Sequence, residues 1–193
     1  MVFDIPRQEY FSRSELLLRS FFGWLYIAIP HFFLLFFAGI WSGILGFVAF
    51  WVVLFTGKYP QSMFEYQVKL MNWSSRVAGS INHLFDGYPS LGLEPDDKVT
   101  LEIPYPEKLS RGLVLLRTFF GIFYITIPHW FVLYFRLIIG SFLEFLAWWV
   151  VLFTGSYPES WHSFNVGTLR WMMRLKAYKS FLTDTYPKFS GKE

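Results

Sequence analysis

The stretch WVVLFTGKYP, residues 51–60, returns as WVVLFTGSYP at 149–158, with Ser156 standing where Lys58 stood. Sliding the 193-residue chain along itself by 98 positions extends that match without a gap, residues 4–89 onto 102–187, and about 40 of the 86 aligned positions are identical. An ungapped period of this length is an internal duplication, since shared composition alone does not keep register. The chain therefore divides into a first repeat (1–89), a proline-bounded acidic linker (90–101), a second repeat (102–187) and a polar tail (188–193).

What precedes the repeated decapeptide sets the class. Apolar residues make up 54% of the chain, aromatics 23% and charged residues only 16%, which lies outside the soluble range. They concentrate in two runs, Leu16 to Phe55 and Leu113 to Phe153, each with room for two crossings at about 20 residues per crossing. Small and polar residues at 38–43, and at 136–141 in the second copy, predict a tight turn inside each run. The expected fold is an all-α membrane protein of two tandem repeats in parallel topology. Each repeat is a transmembrane hairpin, helices at about 17–37 and 41–56, followed by a cytoplasmic interfacial amphipathic helix, about four transmembrane helices in all. Pro30 and Pro128 interrupt the first helix of each hairpin and release the carbonyl of Tyr26 or Tyr124.

The decapeptide itself reads as a membrane-exit corner. Thr56-Gly57 and Thr154-Gly155 let the backbone leave the helix, and Tyr59-Pro60 and Tyr157-Pro158 fix an extended exit that opens the next helix. In that helix Trp73 and Trp171 alternate with Lys69, Arg76, Arg170, Arg174, Lys176 and Lys179, and Lys58 precedes the first Tyr-Pro. A basic, Trp-bearing amphipathic helix beside a membrane predicts contact with anionic headgroups. Of the 17 Lys and Arg only Arg136 lies near the expected turns, which places both termini on the cytoplasmic side.

The unit IPYPEKLSRGLVLLR, IPH, WWVVLFTGSYPES, LRWMMRLKAY, LTDTYP resembles the bacterial membrane family labelled domain of unknown function 4389. The resemblance implies an integral protein of the bacterial inner membrane with this hairpin in tandem, and it supplies no activity. It also implies a basic residue before the Tyr-Pro, which Lys58 provides and Ser156 does not.

Polar groups inside the runs are the remaining candidates. His31 and His129 follow the helix prolines; the alternatives are ligation or proton relay, and an imidazole packed among aromatics on a freed carbonyl. Arg136 and Glu144 occur only in the second copy, against Ala38 and Gly46, and are expected to pair with each other across the turn or to meet a substrate. Arg19 and Arg117 are expected to snorkel to the interface, Asp86 and Asp184 to cap turns, and Val99–Ile103 to form a short strand in an ordered tether. With no cysteine, no nucleotide loop and no catalytic or metal motif, neither an enzyme, a cofactor, a metal nor a nucleic-acid partner is expected. The function expected is non-catalytic assembly, as a homo-oligomer or the membrane subunit of a larger complex. The alternatives are a reticulon-like membrane-shaping protein and a transport component built on Arg136, Glu144, His31 and His129.

Overall fold

The computed structural model describes residues 1–192. In chain order the elements are β1 (Val2–Asp4), α1 (Arg13–Gly23), α2 (Ile29–Thr56), α3 (Gln61–Ile81), β2 (Thr100–Glu102), α4 (Arg111–Gly121), α5 (Ile127–Thr154) and α6 (Glu159–Lys179). A widened π-helical turn, Trp24–Ala28 or Ile122–Thr126, joins α1 to α2 and α4 to α5. Each apolar run is therefore one continuous helix of 44 residues, about 66 Å long at 1.5 Å per residue.

The turns expected at 38–43 and 136–141 do not form, so two long helices replace the four short ones. The physical reason is that backbone groups among apolar surroundings must be bonded within the helix, and neither segment contains a proline to interrupt it. The residues that suggested a turn serve close packing instead. Ser42 bonds Gln67 of α3, and Gly140 lets α6 approach so closely that an added Cβ would lie 2.8 Å from Asn165 Oδ1. The breaks that the prolines impose are absorbed one turn earlier. Pro30 and Pro128 cannot donate, and the π turn carries the following amide to a carbonyl five residues back, Ile29 to Trp24 and Ile127 to Ile122.

Ser12 and Ser110 start the long helices, each accepting a backbone N–H from the first turn at 3.4 Å. Gly57 and Gly155 end them at φ 74° and 73°, the left-handed conformation that stops a helix. Pro60 and Pro158 then open α3 and α6, which fold back along α2 and α5. Tyr66 donates to the Ala38 carbonyl and Trp73 reaches His31, so α3 runs antiparallel to α2 along its middle.

The two repeats lock reciprocally. Leu109 N–H donates to the Gly57 carbonyl and Phe11 N–H to the Gly155 carbonyl, both at 2.8 Å, so the stop of each repeat holds the lead of the other. Arg7 caps the Tyr157 carbonyl at 3.1 Å, and Tyr105, its counterpart in the duplication, caps the Tyr59 carbonyl. β1 pairs antiparallel with β2, with Phe3 opposite Leu101. Those two residues occupy matched positions 98 apart, so a pseudo-two-fold axis passes between them. The expected strand at 99–103 is present as β2, and its partner at the N-terminus carries no comparable sequence signal. The buried core around this axis draws Phe3, Phe11, Val53 and Tyr59 together with Leu101, Leu109, Val151 and Tyr157.

Two helices, Arg13–Thr56 and Arg111–Thr154, are long and apolar enough to cross a membrane, and only 6% and 17% of their most apolar stretches are buried. Phe32, Phe36, Phe37 and Phe47, and likewise Phe131, Phe135, Phe142 and Phe145, are each more than half exposed.

Candidate functional site

The polar side chains His31, Ser42, His129, Arg136 and Glu144 in the middle of the long helices lie on one seam, facing α3 or α6. In the first repeat the seam is His31, Leu35, Ala38, Ser42, Gly46, Ala49 and Val53; in the second it is His129, Leu133, Arg136, Gly140, Glu144, Ala147 and Val151. The spacing of three and four keeps these residues on one face of a helix, and the small ones allow close approach.

Both histidines are fully buried. Trp73 Nε1–H donates to His31 Nδ1 and Trp171 Nε1–H to His129 Nδ1, each at 2.9 Å. A neutral imidazole has one ring lone pair, and here the indole takes it, so the histidines offer none to a metal or haem. The bonding fixes the tautomer of His129: Nε2–H faces the Tyr186 hydroxyl at 3.2 Å, and that hydroxyl donates to the Tyr124 carbonyl at 2.8 Å. Tyr124 is the residue whose carbonyl Pro128 deprives of a helical partner, so Tyr186 returns from the D-x-Y-P end to satisfy it. Phe189 stacks on His129 with ring centroids 3.8 Å apart.

Arg136 does not pair with Glu144. On a continuous helix eight residues put them about 12 Å apart along the axis, and Arg136 turns to α6, donating to Thr168 Oγ1 at 2.8 Å and the Phe164 carbonyl at 3.0 Å. Its guanidinium lies over the Phe164 ring. Glu144 lines a polar cavity of about 130 Å³ with Asn82, Ser141, Asn165 and Thr168.

Arg19 and Arg117 do not snorkel. They are about 5% exposed, and each grips the end of its own repeat. Arg19 donates to the Ser80 and Phe85 carbonyls, Arg117 to those of Tyr178 and Thr183. Asp86 and Asp184 complete the clasp, each pairing with its arginine and accepting the N-cap serine N–H at 2.6 Å.

Of the residues expected at a lipid interface, Lys58, Lys69, Lys176 and Lys179 are exposed. Trp73, Arg76, Arg170 and Trp171 are buried, which corrects that expectation. The linker and the tail fold over α3 and α6 and use those arginines as anchors. Arg76 donates to the Gly92 and Glu94 carbonyls, Arg170 to those of Phe3 and Gly191, and half-buried Arg174 to that of Ser190. Glu193, the last residue of the tail, lies outside the described residues. In the exit corners Thr56 and Thr154 bond back to the Val52 and Val150 carbonyls at 2.7 Å. Tyr59 and Tyr157 are buried, and burial pushes both phenols up to about 12.

Residues 114–191 match the family model described as domain of unknown function (DUF4389). The match falls on the second repeat and most of the tail. No curated protein and no solved structure matches the chain significantly. The clasp, the His–Trp pair and the stop motif of the matched repeat all recur 98 residues earlier, whereas Arg136 and Glu144 are peculiar to it.

The histidine partners carried a signal that periodicity does not use. Between 61 and 83 only Ser62, Val68, Trp73 and Arg76 match their counterparts. A Trp and an Arg retained where most else has drifted are tied to something fixed.

Proposed function

We propose that this chain is a non-catalytic bacterial inner-membrane protein that inserts its two long helices lengthwise into the cytoplasmic leaflet and organises or bends the membrane there. One observation carries the reading: the long helices expose a surface dominated by aliphatic and aromatic side chains, while His31, Ser42, His129, Arg136 and Glu144 face the charged helices α3 and α6. An exposed apolar surface of this extent marks an interaction site. Exposed Glu65 and Lys69 on α3 stand level with the middle of α2, since neighbouring Tyr66 and Gln67 bond Ala38 and Ser42. An upright helix would carry both charges toward the bilayer centre, at roughly 2.5–3.5 kcal/mol for each. Lying in plane, a helix about 10–12 Å across fits the roughly 15 Å depth of one leaflet and leaves those charges in water. The pseudo-two-fold axis then stands along the membrane normal and gives both repeats the same depth. Lys58, Lys69 and Lys179 are exposed to meet anionic headgroups. A shallow body in one leaflet widens that leaflet relative to the other, the physical basis of curvature generation.

The chain has no cysteine, so single cysteines report topology directly. Ser14→Cys and Lys58→Cys mark the two ends of one long helix. In-plane insertion makes both react with an impermeant maleimide from the same side, and reaction from opposite sides sinks the reading. For the shaping activity, the full chain reconstituted into liposomes containing anionic lipid narrows or tubulates them with rising protein-to-lipid ratio. Vesicles of unchanged diameter at saturating insertion refute it.

A further inference from the structure

The two repeats differ most where the seam meets the fold-back helix. In the first repeat that place is closed: Ser42 Oγ donates to Gln67 Oε1 at 2.6 Å, and Gln67 Nε2 donates to the Ser42 carbonyl at 2.9 Å. Gly46 lies beside the same amide, an added Cβ there being 4.0 Å from Gln67 Nε2. In the second repeat three matched positions change together: Gly140 for Ser42, Asn165 for Gln67 and Glu144 for Gly46. The shorter Asn165 turns its Nδ2 to the Tyr157 hydroxyl at 3.2 Å, and its Oδ1 lies beside Gly140, which has no hydroxyl to take the place of Ser42. The serine that plugged the first repeat is gone, and the cavity of about 130 Å³ stands in its place.

The polar wall of this cavity is an oxygen set: the Glu144 carboxylate, the amides of Asn82 and Asn165, and the hydroxyls of Ser141 and Thr168. Among the described residues Glu144 has no ion-pair partner. The basic side chain on the same helix face, Arg136, is committed to Thr168 and Phe164. Asn82 comes from the end of α3, so residues of both repeats meet here.

We propose that this cavity binds one small monovalent cation of the size of Na⁺, held by the Glu144 carboxylate with the side-chain oxygens of Asn82, Ser141 and Asn165. Hard oxygen donors select alkali and alkaline-earth ions over transition metals. A single carboxylate balances one positive charge, whereas dedicated calcium sites gather several carboxylates at six to eight oxygen contacts. At about 30 Å³ per water the cavity holds an ion with part of its hydration shell. The inference stands apart from the depth at which the long helices lie, because the cavity is bounded by α5, α6 and the end of α3 rather than by their lipid-facing surfaces.

The test is equilibrium binding of ²²Na⁺ to the purified full chain in detergent, with choline balancing ionic strength. One saturable site is expected, with at least a tenfold loss of affinity in Glu144→Gln. The double variant Gly140→Ser/Asn165→Gln keeps the carboxylate and rebuilds the pair that closes the first repeat; it loses binding to the same extent. Circular dichroism establishes that each variant is folded, and if Glu144→Gln does not fold, the double variant decides. Absence of saturable Na⁺ binding, wild-type affinity in either folded variant, or displacement of Na⁺ by Ca²⁺ at lower concentration than by K⁺ overturns the proposal.

Discussion

Arg117→Met separates two physical roles for the arginine near the start of each long helix. A snorkelling arginine keeps its charge in water and uses its stem as apolar cover, so methionine replaces it at little cost. The arginine of the clasp is 5% exposed and donates to two main-chain carbonyls, at 3.1 and 2.9 Å, and to Asp184, with its guanidinium 3.8 Å from the centre of the Tyr178 ring. Methionine fills much of the stem volume but leaves both carbonyls without their donor, at about 1–3 kcal/mol each. The Asp184 side chain is 28% exposed and recovers part of its loss by hydration. The net expectation is about 3–5 kcal/mol, the range for removing one partner of a buried pair. With a urea slope of about 2–3 kcal/mol per molar, the midpoint falls by about 1–2 M. Exposed Arg111→Met is the control and stays within about 0.5 kcal/mol of wild type. The assay is urea unfolding in mild detergent, followed by tryptophan fluorescence. Adding Asp184→Asn to Arg117→Met costs less than Asp184→Asn alone, because it removes a carboxylate already unpaired. An Arg117→Met midpoint indistinguishable from that of Arg111→Met would refute the clasp and restore the snorkelling role.

Gly155→Ala costs about 1–2 kcal/mol in the same assay, because φ is 73° while the added Cβ meets only ordinary contacts, the nearest 3.6 Å from the Phe11 carbonyl; equal stability would be evidence against the stop geometry. Trp171→Phe destabilises by more than the lost volume alone, since it leaves His129 Nδ1 without a donor; an equal cost in the His129→Phe background excludes that coupling. His83 is depressed to about 4, by burial first and the charge of Arg19 second. The unfolded histidine, near 6.5, binds its proton first as the pH falls, so this group's stabilisation is complete above pH 6.5 and is lost progressively from there toward pH 4. His83→Phe, the residue that the second repeat carries at 181 with the same left-handed backbone, flattens the fall of melting temperature over that window; an unchanged slope counts against it.

Helix content was legible wherever backbone chemistry is local. Gly57 and Gly155 announce the stops, Pro60 and Pro158 the next starts, and the two apolar runs the long helices. No turn forms at 38–43 or 136–141 because Gly and Ser have two uses that a single sequence does not separate: they permit a bend, and they permit a close neighbour. At Ser42 and Gly140 the second use wins, since a fold-back helix lies there. Likewise, periodicity puts Trp73 on the apolar stripe of α3 and Arg76 among the polar residues beside it, but does not show what covers them: α2 covers Trp73 and the linker covers Arg76. The reciprocal lock was out of reach for a different reason. Phe11 N–H to Gly155 and Leu109 N–H to Gly57 are main-chain bonds between segments far apart in sequence, and no side-chain pattern encodes them.

Phe3 opposite Leu101 has a consequence for how this protein can change. Two identical chains related by such an axis would receive every substitution in duplicate, so a carboxylate placed in one half would face its twin in the other. Joining the halves through residues 90–101 ends that constraint. One half keeps Gly46 and the closed Ser42–Gln67 pair, while the other carries Glu144 and a hollow beside it. The covalent joint is thus what makes asymmetry heritable: it turns a symmetric frame into one whose two sides are free to diverge.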